Sequence, residues 1–279
     1  MQLKAKAKIN LTLDVLYKRP DGYHEVEMIM QTLELADIIH IEESEETRVI
    51  CNHPFVPEDQ GNLVYKAVEE IKRYCNIDKN VKIHIEKNIP VAAGLGGGSS
   101  DCAATLKGLN QMWNLGLEDE TLEKIGLKLG ADVPFFIKGG TQLAQGIGEK
   151  LTPLPSPPPM WVVLGKANMG VSTKEVYTNL NLASIRKRPN TQGMINAIET
   201  GDIKEICNNL CNVLETVTLK KYSTVRNIKN RMAQMGANGV LMSGSGPTVF
   251  GLCNTYDKAV RIAKNLETLT EEVYVTKFC

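Results

Sequence analysis

A glycine-rich turn that runs directly into a helix-forming segment constrains this chain more than any other feature. The stretch Asn88–Leu106 reads NIPVAAGLGGGSSDCAATL. Glycine adopts positive φ and lets the backbone approach an anion, whereas serine and aspartate favour the N-cap and first turn of a helix. Free N–H groups and the positive end of the helix dipole would then face the loop. The stretch predicts a phosphate-binding loop, with Ser99, Ser100 and Asp101 as N-cap and first turn. The competing interpretation is a glycine turn that only lets a strand pack on a helix.

The two most common phosphate loops do not fit this stretch. A Walker A loop requires Gly-Lys-Ser/Thr at the start of its helix, and that tripeptide does not occur in the chain. A dinucleotide fingerprint requires a third glycine at the position that Ser99 occupies after Gly94 and Gly96. The sequence therefore predicts a phosphate loop of a third kind.

Length and charge narrow the class of protein. The 279 residues suit two domains or one large one, and Lys+Arg and Asp+Glu both number 32. A polyanion must then be held by a local cluster of donors, which argues against a nucleic-acid binder. Seven cysteines at irregular spacings, without a CxxC, do not indicate a zinc site and predict free thiols in a reducing cytoplasm. No run approaches the ~20 apolar residues that span a bilayer, so no membrane partner is expected.

The first half alternates strand and helix patterns. Apolar residues alternate with polar ones from Leu3 to Val15, which predicts a half-buried strand with one polar face. The Arg19–Gly22 segment has turn chemistry, and extended patterning resumes over Tyr23–Leu35. Further strands are predicted at Asp37–Glu42, Arg48–Asn52 and Val81–Ile85, and helices at Leu63–Cys75, Ser100–Trp113 and Thr121–Leu129, with Gly130 as the residue after the third helix.

A domain boundary is predicted at Leu151–Pro159, LTPLPSPPP, because its prolines cannot continue a helix or a central strand. The predicted domains are 1–152 and 160–279. The second half reads as helices covering an antiparallel sheet. Its predicted elements are strands at Met160–Leu164, Val240–Met242, Thr248–Leu252 and Glu272–Thr276, three or four helices between Thr173 and Met235, and a helix near Asp257–Glu267.

The glycine loop resembles the ATP-binding motif of the GHMP kinases, the superfamily of galactokinase, homoserine kinase, mevalonate kinase and phosphomevalonate kinase. Three other segments match in family order: AKINLTLDVLYKRPDGYHEVEMIMQTL from Ala7, GADVPFF from Gly130 and SGSGPTVFGL from Ser243. The resemblance implies an α+β fold. A ribosomal-protein-S5-like N-terminal domain binds nucleotide, a ferredoxin-like C-terminal domain follows, and the substrate lies between the two.

The long loop form GLGGGSSD and the segment PDGYH are similar to the GHMP kinases of non-mevalonate isoprenoid biosynthesis. That resemblance implies ATP-dependent phosphorylation of the 2-hydroxyl of 4-(cytidine 5'-diphospho)-2-C-methyl-D-erythritol, with ATP and Mg²⁺ as cofactors. The implied partner is this small molecule, with no nucleic acid and no membrane, in a monomer or homodimer.

The resemblance also assigns roles to single residues. Asp132 matches the catalytic base, and Lys8 matches the lysine that supports it. Taken alone, Asp132 reads as a cap or turn residue, and Lys8 reads as a solvated lysine on the polar face of a strand. The implied ATP-binding residues are Asn62, Lys87, Pro90, Gly94, Leu95, Gly96, Gly97, Gly98, Ser99 and Ser100. The implied substrate-binding residues are Asn10, Tyr23, His24 and Tyr177.

Within that set, Tyr23 and Tyr177 match the aromatic pair that sandwiches the cytosine ring, and His24 matches the residue that hydrogen-bonds the base edge. Taken alone, Asn62 is a helix N-cap and Tyr23 is an aromatic residue near a turn. Ser243–Pro247 is a second tight glycine turn, which either connects the domains or lies beside the active site. No protein ligand for Mg²⁺ is predicted, because no counterpart of the mevalonate kinase glutamate is found.

Three alternatives stay open at this level. One is a GHMP kinase whose substrate lacks a nucleobase, such as homoserine or mevalonate. Another is an RNA-binding or ribosome-associated protein, which the balanced charge and low aromatic content oppose. The last is a nucleotide-binding regulator without catalysis, which the presence of both Lys8 and Asp132 opposes.

Overall fold

The computed structural model describes all residues from Met1 to Cys279 and contains eleven strands, ten α-helices and one short 3₁₀ helix. The strands are β1 (Gln2–Lys18), β2 (His24–Ser44), β3 (Arg48–Cys51), β4 (Asn80–Glu86), β5 (Thr141–Gly146), β6 (Lys150–Leu154), β7 (Trp161–Lys166), β8 (Cys211–Asn212), β9 (Gly239–Met242), β10 (Thr248–Cys253) and β11 (Glu272–Lys277). The helices are α1 (Leu63–Cys75), α2 (Gly97–Met112), α3 (Asp119–Leu127), α4 (Val133–Lys138), α5 (Thr173–Thr178), α6 (Thr191–Thr200), α7 (Ile203–Asn208), α8 (Glu215–Lys221), α9 (Ser223–Gln234) and α10 (Tyr256–Leu266), with the 3₁₀ turn at Leu182–Ser184.

The chain divides into two compact units. The first unit comprises Met1–Ala7, Leu35–Val91 and Gly96–Gly139, and the second comprises Lys8–Glu34, Ala92–Leu95 and Gly140–Cys279. No helix in either unit combines the length and apolar character that crossing a membrane requires.

In the first unit, four helices cover strands β3, β4 and the later half of β2. β4 pairs antiparallel with β2 and parallel with β3. Alternate apolar residues of the strands, such as Ile41 and Ile83, are fully buried against Val68 and Ile71 of α1 and Leu106 of α2. Burying each such side chain contributes about 1.5–3 kcal/mol, so the core holds the α2 end of the glycine loop on a rigid base.

The α1 helix has the predicted bounds because both of its ends are encoded locally. Asn62 is the N-cap, and its side-chain oxygen accepts a 2.8 Å hydrogen bond from the Val64 N–H. The helix ends where Asn76 adopts a left-handed conformation with φ 51°.

In the second unit, a four-stranded antiparallel sheet has the order β11-β7-β10-β9. Helices α9 and α10 pack closely on it at Gly165, because a β-carbon there would contact Ile228 and Met232 of α9 and Leu266 of α10. The earlier half of β2 pairs with β5, which pairs with β6, and β1 lies between β2 and β8. The predicted arrangement of helices on an antiparallel sheet is confirmed.

Strand β1 differs from its prediction. The polar residues that alternate along it were expected to form a solvated face, yet Lys8, Asn10, Thr12 and Asp14 are all buried. Each finds a partner instead: the Thr12 hydroxyl accepts the Ile29 N–H at 3.0 Å, and Asp14 pairs with Arg188 at 2.6 Å. Polar groups can be buried when they are hydrogen-bonded. The alternation along β1 therefore separates a buried apolar face from a buried, hydrogen-bonded polar face.

Several boundaries also differ. Strand β2 is continuous over His24–Ser44, although two strands were predicted within this range. Helix α2 begins at Gly97 and not at Ser100, because Gly96 occupies the N-cap position. Helix α3 ends at Leu127, so Gly130 is not its terminating residue and instead precedes the unpredicted helix α4. Three or four helices were predicted between Thr173 and Met235, whereas the structure has five α-helices and a 3₁₀ turn between Thr173 and Gln234. The number was underestimated because most of these helices are too short to show helical periodicity.

The proline-rich segment contains an edge strand. Strand β6 pairs with β5 alone, and Pro153 lies within it. An edge strand tolerates proline because the backbone on its open side needs no N–H donor. This agrees with the prediction that the segment cannot form a central strand. The predicted domain boundary at this segment stays a prediction.

Candidate active site

Within the first unit, the N-terminus of α2 is left open by its own sequence. Gly96 is the N-cap in a left-handed conformation with φ 74°, and no side chain caps the helix. The prediction that Ser99, Ser100 or Asp101 supplies the N-cap is wrong. Ser99 and Ser100 lie in the first turn instead, and Asp101 follows it. The first N–H groups of a helix lack partners within the helix, so an uncapped 16-residue helix presents donors and the positive end of its dipole to an anion.

The two serines of this turn have different surroundings. The Ser100 hydroxyl is buried and donates a 2.7 Å hydrogen bond to the Lys6 carbonyl oxygen. The Ser99 side chain makes no hydrogen bond within the chain. It faces Gly130, where a β-carbon would lie 3.6 Å from the Ser99 hydroxyl oxygen. The GADVPFF segment therefore lies against the first turn of α2.

Asp132 occupies the N-cap position of α4, and α4 packs against α2. The residue is half-buried, and its side chain does not cap the helix. Val133, Pro134 and Phe135 follow it and are buried. The carboxylate thus lies at the edge of apolar surface, at the start of a helix that packs against α2.

Lys87 is buried between two carboxylates in the first unit. Its ammonium contacts Asp37 and also donates a 2.9 Å hydrogen bond to Asp101. The side chains of Lys87, Asp37 and Asp101 are 4%, 0% and 4% exposed. Asp37 in addition accepts the backbone N–H groups of the two residues after Lys87, at 2.6 and 2.7 Å. A β-carbon on Gly97 would lie 3.1 Å from the ammonium, so the cation lies against the first residue of α2.

The charges of this cluster act on one another. Burial raises the pKa of Asp101 to about 7, although the Lys87 ammonium opposes the increase. Burial also disfavours the Lys87 charge, but Asp101 and Asp37 outweigh it and raise the pKa of the lysine. Sequence reasoning assigned Lys87 to the ATP site and missed Asp37. A signal was present, since an aspartate inside the apolar run LELADIIHI must be paired if buried.

Asn62 and Pro90, both predicted to bind ATP, also lie in the first unit. The Asn62 amide donates a 2.6 Å hydrogen bond to the Pro57 carbonyl oxygen while its oxygen caps α1. Pro90 is buried. The structure thus gives Asn62 the capping role that its sequence position favours.

In the second unit, Lys8 is 5% exposed and its ammonium donates a 2.8 Å hydrogen bond to the Asn10 side-chain oxygen. Its backbone N–H donates to the Leu95 carbonyl oxygen at 3.0 Å. Lys4 and Lys6 precede it on the same face of the strand pattern, four and two positions earlier; Lys4 is exposed and Lys6 is half-buried. The AKIN segment and the Gly94–Leu95 part of the glycine loop are therefore neighbours, and Lys8 is the buried lysine among the three.

The Ser243–Pro247 turn completes this part of the site. The Ser243 hydroxyl donates a 3.0 Å hydrogen bond to the Gly94 carbonyl oxygen. Asn212, which sequence reasoning missed, is buried and donates to the carbonyl oxygens of Met242 and Gly244 at 2.8 and 2.7 Å. The turn is thus held from both sides and contacts Gly94 of the glycine loop, and its place at the active site stays a prediction.

Two predicted substrate residues come together in the second unit. The rings of His24 and Tyr177 have centroids 5.1 Å apart and are tilted by 42°. Tyr23 is 60% exposed and lies at the end of the turn before β2. Asp21 stabilises this turn, because its carboxylate accepts a 3.0 Å hydrogen bond from the Tyr23 backbone N–H. Burial, with a smaller contribution from the Lys18 charge, keeps the pKa of His24 below its ordinary value. A neutral imidazole presents both a donor and an acceptor, which suits the edge of a nucleobase.

Comparison with known proteins agrees with this arrangement. Residues 62–140 match the family described as GHMP kinases N terminal domain, and residues 194–270 match GHMP kinases C terminal. The 4-diphosphocytidyl-2-C-methyl-D-erythritol kinase of Bacillus subtilis (strain 168) is 54% identical over 276 residues, which cover 98% of this chain and 95% of the relative.

Two solved structures extend the comparison. A crystal structure of 4-(cytidine 5'-diphospho)-2C-methyl-D-erythritol kinase has a TM-score of 0.85 and 32% identity, covering 100% of this chain and 99% of that one. The homoserine kinase of Cytophaga hutchinsonii has a TM-score of 0.74 at 18% identity, covering 99% of this chain and 94% of that one. The second similarity shows the fold alone.

Proposed function

Since the chain belongs to the GHMP kinases and, within them, to the 4-diphosphocytidyl-2-C-methyl-D-erythritol kinase family, we propose that it phosphorylates the 2-hydroxyl of 4-(cytidine 5'-diphospho)-2-C-methyl-D-erythritol. ATP donates the phosphoryl group, and the products are ADP and the 2-phosphate, an intermediate of non-mevalonate isoprenoid biosynthesis. The observation that carries the kinase assignment is the uncapped N-terminus of α2, which a glycine N-cap leaves open to phosphates.

The ATP phosphates bind the backbone donors of Gly94–Ser100 in this proposal. Of the two serines, Ser99 supplies the hydroxyl, because that of Ser100 is already committed to the Lys6 carbonyl oxygen. The structure contains no group of three or more His, Cys, Asp or Glu side chains that could hold a metal ion. Mg²⁺ accordingly enters as part of the MgATP substrate, held by phosphate oxygens and water.

Phosphoryl transfer requires positioning, neutralisation of charge and removal of the proton from the attacking hydroxyl. Asp132 accepts that proton as general base. Lys8 favours the ionised form of the hydroxyl through its positive charge, and Asn10 fixes the Lys8 ammonium by accepting its hydrogen bond. Both side chains are held on packed elements, β1 and α4, which restricts their geometry.

The cytidine moiety binds at Tyr23, His24 and Tyr177. The His24–Tyr177 ring pair supports this assignment, because an aromatic face and a neutral imidazole combine stacking with hydrogen bonds to the base edge. Hydrogen bonds of that kind reject analogues that lack the matching groups. A kinase of homoserine or mevalonate needs no such pair.

The surroundings of the enzyme are part of the proposal. Seven free cysteines, of which Cys102 and Cys253 are buried, suit a reducing cytoplasm. We propose that the Leu151–Pro159 segment separates domains 1–152 and 160–279. The two matched family regions, 62–140 and 194–270, support this division because they lie on either side of the segment. The enzyme works as a monomer or a homodimer.

The test is ADP release from MgATP with 4-(cytidine 5'-diphospho)-2-C-methyl-D-erythritol, mevalonate and homoserine as acceptors. We expect turnover with the cytidylyl substrate only, and a loss of about 10²–10⁴-fold in Asp132→Ala. Asp119→Ala, which removes an exposed carboxylate from the first turn of α3, serves as the matched control and should retain activity. Turnover of mevalonate or homoserine would replace the substrate, and full activity of Asp132→Ala would remove the base.

A further inference from the structure

The Lys87 cluster contains a buried polar atom without a partner. The Asp101 carboxylate gives one oxygen to the Lys87 ammonium, but its other oxygen, Oδ1, is buried and makes no hydrogen bond. An unsatisfied carboxylate oxygen in a protein interior is costly and calls for an explanation, here because the same carboxylate belongs to a buried charge cluster. A protonated carboxyl group would lower that cost, because the neutral form needs less solvation.

The cluster lies at the phosphate loop and not at random in the core. Asp101 follows the first turn of α2, and the Lys87 ammonium lies against Gly97, the first residue of the same helix. Asp37 anchors the lysine from β2 and also holds the backbone after it through two N–H groups. A change of charge in the cluster therefore changes the electrostatic potential at the N-terminus of α2, where nucleotide phosphates are proposed to bind.

The charge count gives the direction of the effect. With both carboxylates ionised, the cluster carries one net negative charge beside a site for a polyanion, and with Asp101 protonated it is neutral. The other titratable groups that face Asp101 are the thiols of Cys51 and Cys102. Burial raises the pKa of each thiol, so both stay uncharged near neutral pH. The arrival of ATP phosphates then favours the neutral form of Asp101.

We propose that Asp101 is a positioning residue for nucleotide binding, which shares the Lys87 ammonium with Asp37, holds it against Gly97 and takes up a proton when ATP occupies the N-terminus of α2. The proton comes from solvent and is released with the nucleotide. This inference rests on the proposed ATP site. It adds that ATP affinity is coupled to pH through a buried side chain that does not touch ATP.

The test compares ATP dissociation constants of the native protein and Asp101→Asn between pH 6 and pH 8. Asparagine has the same shape, can still accept from Lys87 and cannot titrate. The native-to-variant ratio of dissociation constants is reported at each pH, because ATP's own titration cancels in this ratio. Since burial raises the pKa of Asp101 to about 7, the ratio should increase with pH by up to about tenfold. Glu70→Gln is the matched control, because Glu70 is a buried carboxylate of the first unit that pairs with Lys128 at 2.9 Å and with Arg73.

A ratio that stays constant from pH 6 to pH 8 would overturn the inference, and so would an equal change in Glu70→Gln. A second measurement needs no variant. At pH 8, where ATP phosphates are ionised, calorimetry in two buffers of different ionisation enthalpy should show uptake of close to one proton per ATP bound, roughly 0.9. Uptake near zero would refute the coupling. No ATP binding by the native protein at any pH would refute the proposed function itself, which separates the two failures.

Discussion

The Ser243 hydroxyl donates a 3.0 Å hydrogen bond to the carbonyl oxygen of Gly94, across 149 residues of sequence. The two residues also meet through their backbones. Gly94 has φ 75°, and a β-carbon on it would collide with the Ser243 carbonyl oxygen. The glycine loop and the Ser243–Pro247 turn therefore fix each other's backbone at a distance that only glycine permits.

Gly94→Ala should destabilise the protein. The variant combines a left-handed backbone that alanine disfavours by about 1–2 kcal/mol with a collision against a backbone oxygen, so we expect a loss of about 2–4 kcal/mol in unfolding free energy. Urea denaturation measures it. Gly98→Ala is the control, because its nearest contact would be an ordinary 3.8 Å from Leu63, and it should change stability by no more than about 1 kcal/mol. Equal losses in both variants would contradict the role of the close approach.

Lys8→Met should remove catalysis and preserve the fold. Methionine fills the buried space of the lysine stem but lacks the charge proposed to act on the hydroxyl, so kcat should fall by about 10²–10⁴-fold while ATP still binds. Lys4→Met, on the exposed part of the same strand, should match the native rate. If the two variants have the same kcat, Lys8 is only a structural residue.

Tyr177→Leu should weaken binding of the cytidylyl substrate. The change removes the ring that lies beside His24, so KM for this substrate should rise about tenfold or more while KM for ATP is unchanged. Tyr177→Phe keeps the ring and should stay within a few-fold of the native KM. An increase in KM for ATP as large as that for the cytidylyl substrate would place Tyr177 elsewhere in the mechanism.

His24 should make this KM depend on pH on the acidic side only. Because burial lowers the pKa of His24, the imidazole is neutral at pH 7 and gains a proton only at a pH below its ordinary value. Protonation removes its hydrogen-bond acceptor, so KM for the cytidylyl substrate should rise only at a pH below the ordinary histidine pKa of about 6.5. His24→Gln, which cannot titrate, should show a flat KM over the same range. A native KM that does not change between pH 5 and pH 7 would contradict the role.

Asn212→Ala should unfold more easily than the native protein although Asn212 is not predicted to touch substrate. Its side chain makes three buried hydrogen bonds, two to carbonyl oxygens of the Ser243–Pro247 turn and flanking strand and one from the Leu214 N–H. Leaving these groups unpaired costs about 2–4 kcal/mol. Asn208→Ala removes an exposed side-chain hydrogen bond to Glu205 and should cost no more than about 0.5 kcal/mol. Thermal unfolding of both variants decides the matter.

Local patterns predicted much of the fold. The residues that begin and end α1, Asn62 and Asn76, are both recognisable in the local sequence. Strand β4 was predicted from the alternation of apolar and polar residues, which reflects its single apolar face. The α2 helix after the glycine loop was predicted, but its N-cap was assigned to the wrong residues, so its uncapped start was not foreseen. Helices α5, α7 and α8, each of 6 or 7 residues, were missed individually because so few residues do not establish a period.

Pairings between distant segments explain most of what sequence reasoning missed. Lys87 was expected at the nucleotide, but its carboxylate partners come from β2 and α2, and nothing in spacing connects Asp37 with Asp101. The burial of Lys8 likewise depends on neighbours supplied by other segments. A polar residue on an alternating strand reads as solvated until those segments are in place.

The pairing of β1 with β8 has a consequence for synthesis of the chain. Thr12 and Leu13 of the first strand pair in parallel with Cys211 and Asn212, so one edge of β1 has no partner until a late part of the chain has left the ribosome. During that interval an edge of unpaired N–H and C=O groups, flanked by the apolar side chains of Leu11 and Leu13, is open to other nascent chains. A segment made early thus waits for one made late, which leaves an edge for chaperones to protect at the amino-terminal strand.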